Sequence, residues 1–212
     1  MSGLYIIIFG FLTAFLVVLF SMPSLIKVAK LKNLVDTPME DRKMHRWSIP
    51  TLGGVVIFGA LIFSYTLWFP EEYDHIPGML INFKYVIACL LLLFFVGVKD
   101  DVIGTAPLKK LIAHIIVGFI LVIMADIRII SMHGIFGVSD LDLWQSYLLT
   151  IFAYLVIINS INLIDGLDGL AGLISFLASL FLAIIFYLTG NIPIALLAGV
   201  LSGTMLGFIF FN

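Results

Sequence analysis

Long apolar runs separated by short polar stretches make up most of the chain. The clearest runs are Leu4–Ile26, Leu52–Phe69, Leu170–Leu188 and Ile192–Phe211, with a turn-like Thr189-Gly190-Asn191 between the last two. Three shorter runs, Ile81–Val98, Lys110–Ala125 and Trp144–Ile158, carry Lys84, Lys110 and Gln145 within or at one mouth. An apolar run of about 20 residues crosses a bilayer as a helix, because each backbone N–H and C=O must find its partner inside the segment. The pattern predicts an all-α fold: a polytopic transmembrane helix bundle of about seven spans, forming one integral membrane domain over residues 1–212. The segment Ile127–Leu143 alternates loosely around His133-Gly134 and predicts a short external β-hairpin.

Composition strengthens this picture. Of 212 residues, 62% are hydrophobic and only 11% charged, and the mean hydropathy of +1.21 excludes an ordinary soluble domain. A formal net charge of −2 and the lack of a Lys/Arg-rich run exclude a nucleic-acid footprint and leave membrane lipids as the expected surroundings. The lone cysteine, Cys89, allows no disulfide framework and no thiolate metal site. Met1-Ser2-Gly3 has no positive region ahead of its apolar run, so the first run is expected to be a retained span rather than a cleaved signal.

Alternating the chain through seven spans sorts its basic residues unequally. Lys27, Lys30, Lys32, Arg42, Lys43, Arg46, Lys99, Lys109 and Lys110 fall on one side, and only Lys84 and Arg128 on the other. Positive residues stay inside, so the first side is expected to be cytoplasmic and the N-terminus outside. Three polar segments share that cytoplasmic face: Asp41–His45 running to Pro50–Gly54, Gly97–Asp101, and Asn159–Gly169. Convergence of this kind is how helix bundles build pockets.

Carboxylates at membrane helix ends are unfavourable unless solvated, paired or bound to a cation. Hard oxygen ligands favour Mg²⁺, which takes one or two carboxylates and keeps water and substrate phosphates in the rest of its shell. Asp100, Asp101, Asp165 and Asp168 therefore suit a phosphate-handling metal site, although any one of them taken singly reads equally well as an interfacial charge near Lys99, Lys109 or Lys110. Asp165 and Asp168, three apart, would be neighbours on one helix face, and Gly166 and Gly169 allow a close ligand approach. Arg42, Lys43 and His45 can neutralise phosphate oxygens, whereas Lys27, Lys30 and Lys32 read as a positive-inside anchor. His114 is more simply a packed helix residue than a ligand.

Arg42-Lys43-Met44-His45 with Pro50-x-x-Gly53-Gly54, Asp100-Asp101 with Lys109-Lys110, and Asn162-Leu163-Ile164-Asp165-Gly166-Leu167-Asp168-Gly169 together resemble the polyprenyl-phosphate N-acetylhexosamine-1-phosphate transferases. The basic loop is more similar to the undecaprenyl-phosphate GlcNAc-1-phosphate branch than to the phospho-N-acetylmuramoyl-pentapeptide branch, which stays the alternative. The resemblance implies transfer of N-acetylglucosamine 1-phosphate from a UDP-sugar to undecaprenyl phosphate, releasing UMP, for cell-envelope polysaccharides such as lipopolysaccharide or teichoic acid linkage units. It implies Mg²⁺ held by Asp100, Asp101 and Asp165, and a bacterial inner-membrane location with the site facing the cytoplasm. Asp100 would bind or deprotonate the carrier phosphate, Asp101 would support the metal, and Asn162, Asp165, Gly166 and Asp168 would hold the nucleotide end. Arg42, Lys43, His45, Lys109 and Lys110 would bind substrate phosphates. A homodimer is a further partner considered.

The family pattern continues with a Met-Gly-Asp segment, a His-rich loop and further spans. The chain reaches Phe210-Phe211-Asn212 short of that segment, so it is expected to be the N-terminal portion of a longer transferase, with an inactive truncated membrane protein as the alternative. Other classes fit less well. CDP-alcohol phosphotransferases expect an Arg after the Asp-Gly-Ala pattern, which is missing after Ala171; polyprenyl synthases are soluble and need a carboxylate where Gly104 stands; a transporter would place charges at midspan.

Overall fold

A computed structural model describes residues 3–31, 35–36, 49–50, 53–70, 79–165 and 169–211. The described residues form seven α-helices: α1 (Gly3–Leu31), α2 (Gly53–Trp68), α3 (Met79–Ile103), α4 (Pro107–Phe119), α5 (Leu143–Ile164), α6 (Leu170–Leu188) and α7 (Ile192–Ile209). The all-helical class expected from the apolar runs is therefore observed. Five helical stretches are long and apolar enough to cross a membrane: α1, α5, α6, α7, and α4 together with its continuation to Met124. The chain divides into two compact units, residues 1–71 with 167–212, and residues 72–166.

In the first unit, α7 packs along α1 and α6, and α2 packs on α1. Gly199, Gly203 and Gly207 recur every fourth residue and form a ridge on α7 without side chains. A methyl group on Gly203 would run into the carbonyl oxygen of Phe11, and one on Gly207 would lie 3.1 Å from that of Phe15. The helices thus meet backbone to backbone. In lipid, where apolar side chains gain nothing by leaving one another, such close packing is a main source of helix association. Around it, Val18, Met22, Val56 and Ala60 form a buried cluster, and Trp68 donates its indole N–H to Thr13 Oγ1 at 3.1 Å while stacking on Phe9.

The residue distribution is that of a lipid-facing protein. Buried positions include Ser64, Ser146, Ser179, Ser202 and Thr204, whereas Phe20, Phe63, Phe152 and Phe181 are exposed. Several buried hydroxyls are satisfied by their own helix, as where Ser179 donates to Ser175 O at 2.7 Å and Thr204 to Leu201 O at 2.7 Å. A two-residue antiparallel ladder pairs Val35–Asp36 with Ile49–Pro50, and Arg42, Lys43 and His45 lie in sequence between its strands, outside the described residues.

The second unit holds α3, α4 and α5. The Cys89 thiol points to Val117 O at 3.9 Å, tying α3 to α4, and Gly118 lets the Tyr154 ring of α5 approach α4. Three sequence expectations are corrected here. α3 runs five residues past Val98 and α5 six past Ile158, so Lys99–Asp101 and Asn159–Ile164 lie within the last turns of helices, beyond the expected spans. α4 does not stay α-helical to Ala125 but widens into a π-helical turn over Ile120–Met124. The segment Ile127–Leu143 does fold back on itself, yet it contains one isolated bridge, Ser131 to Asp140, instead of paired strands. His133, Gly134, Phe136 and Gly137 all have left-handed φ, which extended backbone does not tolerate.

The Gly203 contact gives a direct test. Gly203→Ala should lower stability by about 1–3 kcal/mol through overpacking, seen as a drop of several degrees in detergent melting, whereas Gly59→Ala, with open space around the new methyl, should melt like the parent chain. Equal melting of the two variants would contradict the close α1–α7 approach.

Candidate functional site

The corner between α3 and α4 organises the charged residues. Gly104 takes a left-handed φ of +71° and donates its N–H to Asp100 O at 2.9 Å, closing the C-terminus of α3. Pro107 occupies the first turn of α4, where its missing N–H is no loss. Only Gly104, Thr105 and Ala106 separate the two helices, so the last turn of α3 faces the first turn of α4. Lys110 Nζ and Asp100 Oδ2 form an ion pair across this corner.

These charges sit against their own helix dipoles. Asp100 and Asp101 lie at the negative end of α3, and Lys109 and Lys110 at the positive end of α4, each placement disfavoured by about 0.3–1 kcal/mol. Helix stability alone would select the opposite signs. Asp165 adds a third carboxylate in the same situation, as the C-cap of α5 with its N–H bonded to Ile161 O at 3.1 Å.

Asp101 is half-buried, and burial pushes its carboxyl up from the usual range to about 6. The charge on Asp100 and, more weakly, that on Asp165 push in the same direction, while Lys110 opposes them. The carboxyl groups of α3 and α5 therefore share one electrostatic neighbourhood at one end of the second unit. Lys109 and Asn162 are exposed, the latter one turn before Asp165. His114, one turn beyond Lys110, has a buried Nδ1 without a hydrogen-bond partner among the described residues.

The structure brings together Asp100, Asp101, Lys110 and Asp165. Arg42, Lys43, His45, Gly166 and Asp168 lie outside the described residues. Asp165 follows the end of α5 at Ile164, and the expectation that it shares a helix face with Asp168 falls on a residue outside the described ones. Sequence reading overlooked the corner itself, although Gly104 followed three residues later by Pro107 is a recognisable stop-and-start signal.

Among the described residues no three His, Cys, Asp or Glu side chains are grouped closely enough to hold a metal by themselves. The donor chemistry nevertheless fits Mg²⁺, which needs only one or two carboxylates beside water and phosphate oxygens. A cation there would relieve the repulsion that raises Asp101.

This geometry is that of a helical membrane protein with a carboxylate cluster at its helix ends. Residues 83–212 match the sequence pattern of glycosyl transferase family 4, and the chain belongs to that family. It is 32% identical over 198 residues to the undecaprenyl-phosphate alpha-N-acetylglucosaminyl 1-phosphate transferase of Yersinia pestis, covering 92% of this chain and 52% of that protein. It is 30% identical over 187 residues to the proteins of the same name from Salmonella typhi and Escherichia coli K12, covering 88% of this chain and 48% of each. The chain thus spans about half the length of the curated relatives it matches.

The lifted Asp101 carboxyl has a consequence for stability. Its folded pKa exceeds its unfolded value, so the folded chain binds more protons between about pH 4 and 6, and stability rises as pH falls through that window. At neutral pH the ionised group is a net burden. Asp101→Asn, studied with a chelator present, should raise the melting temperature by about 1–3 °C at pH 7.5 and by clearly less at pH 4.5. A variant that melts lower than the parent at pH 7.5 would show that Asp101 is held by attraction instead.

Proposed function

We propose that this chain carries the catalytic face of an enzyme that transfers N-acetylglucosamine 1-phosphate from UDP-GlcNAc to undecaprenyl phosphate, releasing UMP, in cell-envelope polysaccharide synthesis. The observation that carries the reading is the meeting of Asp100, Asp101, Lys110 and Asp165 at one end of three helices, in a chain 32% identical to a relative named for that reaction. The topology that goes with it has seven crossings, α2 and α3 joining the five long apolar stretches. The N-terminus lies outside, residues 127–143 form a short external fold-back, and the acidic cluster faces the cytoplasm of a bacterial inner membrane. Residues 1–212 act as one membrane domain, within lipid and with a homodimer as its assembly.

In the proposed reaction an oxygen of the lipid phosphate attacks the sugar-bearing phosphorus of UDP-GlcNAc. The P–O bond to UMP breaks, UMP leaves with the electron pair, and the product is a lipid-linked diphosphate sugar. Positioning and charge compensation are the main demands of such phosphoryl chemistry. Asp100, fixed by Lys110, orients the carrier phosphate and accepts its proton when it carries one. Lys109 and Lys110, with Arg42, Lys43 and His45 from the basic segment, offset phosphate charge. Asn162, Asp165, Gly166 and Asp168 hold the nucleotide end. Asp101, with Asp100 and Asp165, would hold Mg²⁺, which supplies charge stabilisation on the diphosphate when bound.

Membranes containing the complete reading frame that encodes this chain should release UMP from UDP-GlcNAc only when undecaprenyl phosphate and Mg²⁺ are both supplied. Asp100→Asn should lower that turnover by about 100-fold or more, since the amide neither pairs with Lys110 nor accepts a proton. Turnover without the lipid phosphate, or an unaffected Asp100→Asn variant, would contradict the proposal.

A further inference from the structure

We propose that the fold-back between α4 and α5 is a membrane-surface anchor, its apolar tip seated at the headgroup–acyl boundary on the side opposite the acidic cluster. From Pro107 to Met124 the α4 stretch is 18 residues long, about 27 Å at 1.5 Å per residue, close to the thickness of a bilayer's hydrocarbon core. The segment that follows therefore leaves the helix at the level of the opposite membrane face.

The tip is apolar and uncovered. Phe136 is 92% exposed, Ile130 61% and Ile135 57%, and Trp144 in the first turn of α5 is 63% exposed. Phe136 holds a left-handed φ of 55°, a conformation that a side chain disfavours. Such a conformation persists only where the surroundings fix it. Among the described residues almost nothing covers this ring, so burial there does not offset the strain.

The fold-back is also built to enter a poorly hydrated layer. Its arms satisfy one another's backbone: Met132 N–H donates to Ser139 O at 2.7 Å, Leu141 N–H to Ile130 O at 3.0 Å and Gly134 N–H to Val138 O at 2.9 Å. Backbone paired in this way loses little on leaving water. The base is fixed to α5, where Ser146 donates to Ile129 O at 2.6 Å and Ile129 N–H to Thr150 Oγ1 at 2.9 Å. The one cation present, Arg128, is paired with Asp126 at 2.6 Å and lies over the Tyr147 ring.

Lipid is the occupant because the tip is continuous with exposed apolar surface on both adjoining helices, Ile123 and Met124 on α4 and Leu148 and Phe152 on α5. Trp144 marks the level, as interfacial aromatics do. The inference concerns the side away from the acidic cluster and stands independently of the proposed reaction.

The test uses nitroxide labels at Phe136→Cys and, separately, Ile135→Cys, in a Cys89→Ala background of the full chain. The protein is reconstituted in phosphatidylethanolamine/phosphatidylglycerol vesicles. Both sites are exposed, so neither label challenges folding, and Asp140→Cys serves as the reference. Collision with O₂, relative to a water-soluble nickel chelate, should be several times greater at 135 and 136 than at 140. Chelate access at 135 and 136 matching that at 140 would place the tip in water and overturn the anchor. Protection from both reagents, with spin–spin broadening that disappears on dilution with unlabelled protein, would assign the surface to a second copy and overturn it equally.

Discussion

The Lys110–Asp100 ion pair spans the three-residue corner between α3 and α4, and it joins charges that each helix dipole opposes. Removing Lys110 would take away an attraction that opposes the charges of Asp100 and Asp165 at Asp101. The cation thus permits the carboxylates to stay together at a membrane helix end, where separate aspartates would be solvated or absent. Burial first, and the charge of Asp100 after it, still lift the Asp101 carboxyl. Under the proposed function, unfavourable charge kept for a substrate would be an exchange of stability for activity.

Packing elsewhere follows a different physical rule. In the first unit, α1 and α7 meet through glycines and backbone oxygens, and the buried hydroxyls of Ser179 and Thr204 bond within their own helices. This packing requires little of the apolar side chains, which are free to face lipid. In the second unit, the anchoring hydroxyls of Ser146 and Thr150 sit at the far end of α5 from Asp165, fixing the fold-back while leaving the acidic end open.

Much of the helical fold was legible in the sequence, because lipid imposes length and apolarity on each span. Leu170–Leu188 coincides with α6 to the residue. The helices outrun the apolar stretches: Lys99 to Asp101 and Asn159 to Ile164 are helical, since backbone pairing continues past the apolar residues. The π-helical turn at Ile120–Met124 has no composition signal, being an apolar run like its neighbours. In the sequence, Asp100 and Asp101 stood out by their chemistry and Lys110 by the family resemblance, but the pairing of Lys110 with Asp100 was hidden, since it depends on the Gly104 φ and on Pro107. The left-handed Phe136 could not have been anticipated, as only the three-dimensional setting fixes an unfavourable φ.

The central claim is that the acidic cluster is a cation-dependent phosphate site, and Mn²⁺ can report on it as a paramagnetic stand-in for Mg²⁺. Binding should be measured by Mn²⁺ electron paramagnetic resonance on the complete reading frame in lipid nanodiscs, comparing the parent with Asp101→Asn, each with and without UDP-GlcNAc. The parent should hold Mn²⁺ about tenfold or more tightly with the nucleotide sugar present, because phosphate oxygens complete the shell, and Asp101→Asn should lose that gain. Identical Mn²⁺ affinity in the two proteins under both conditions would contradict the account.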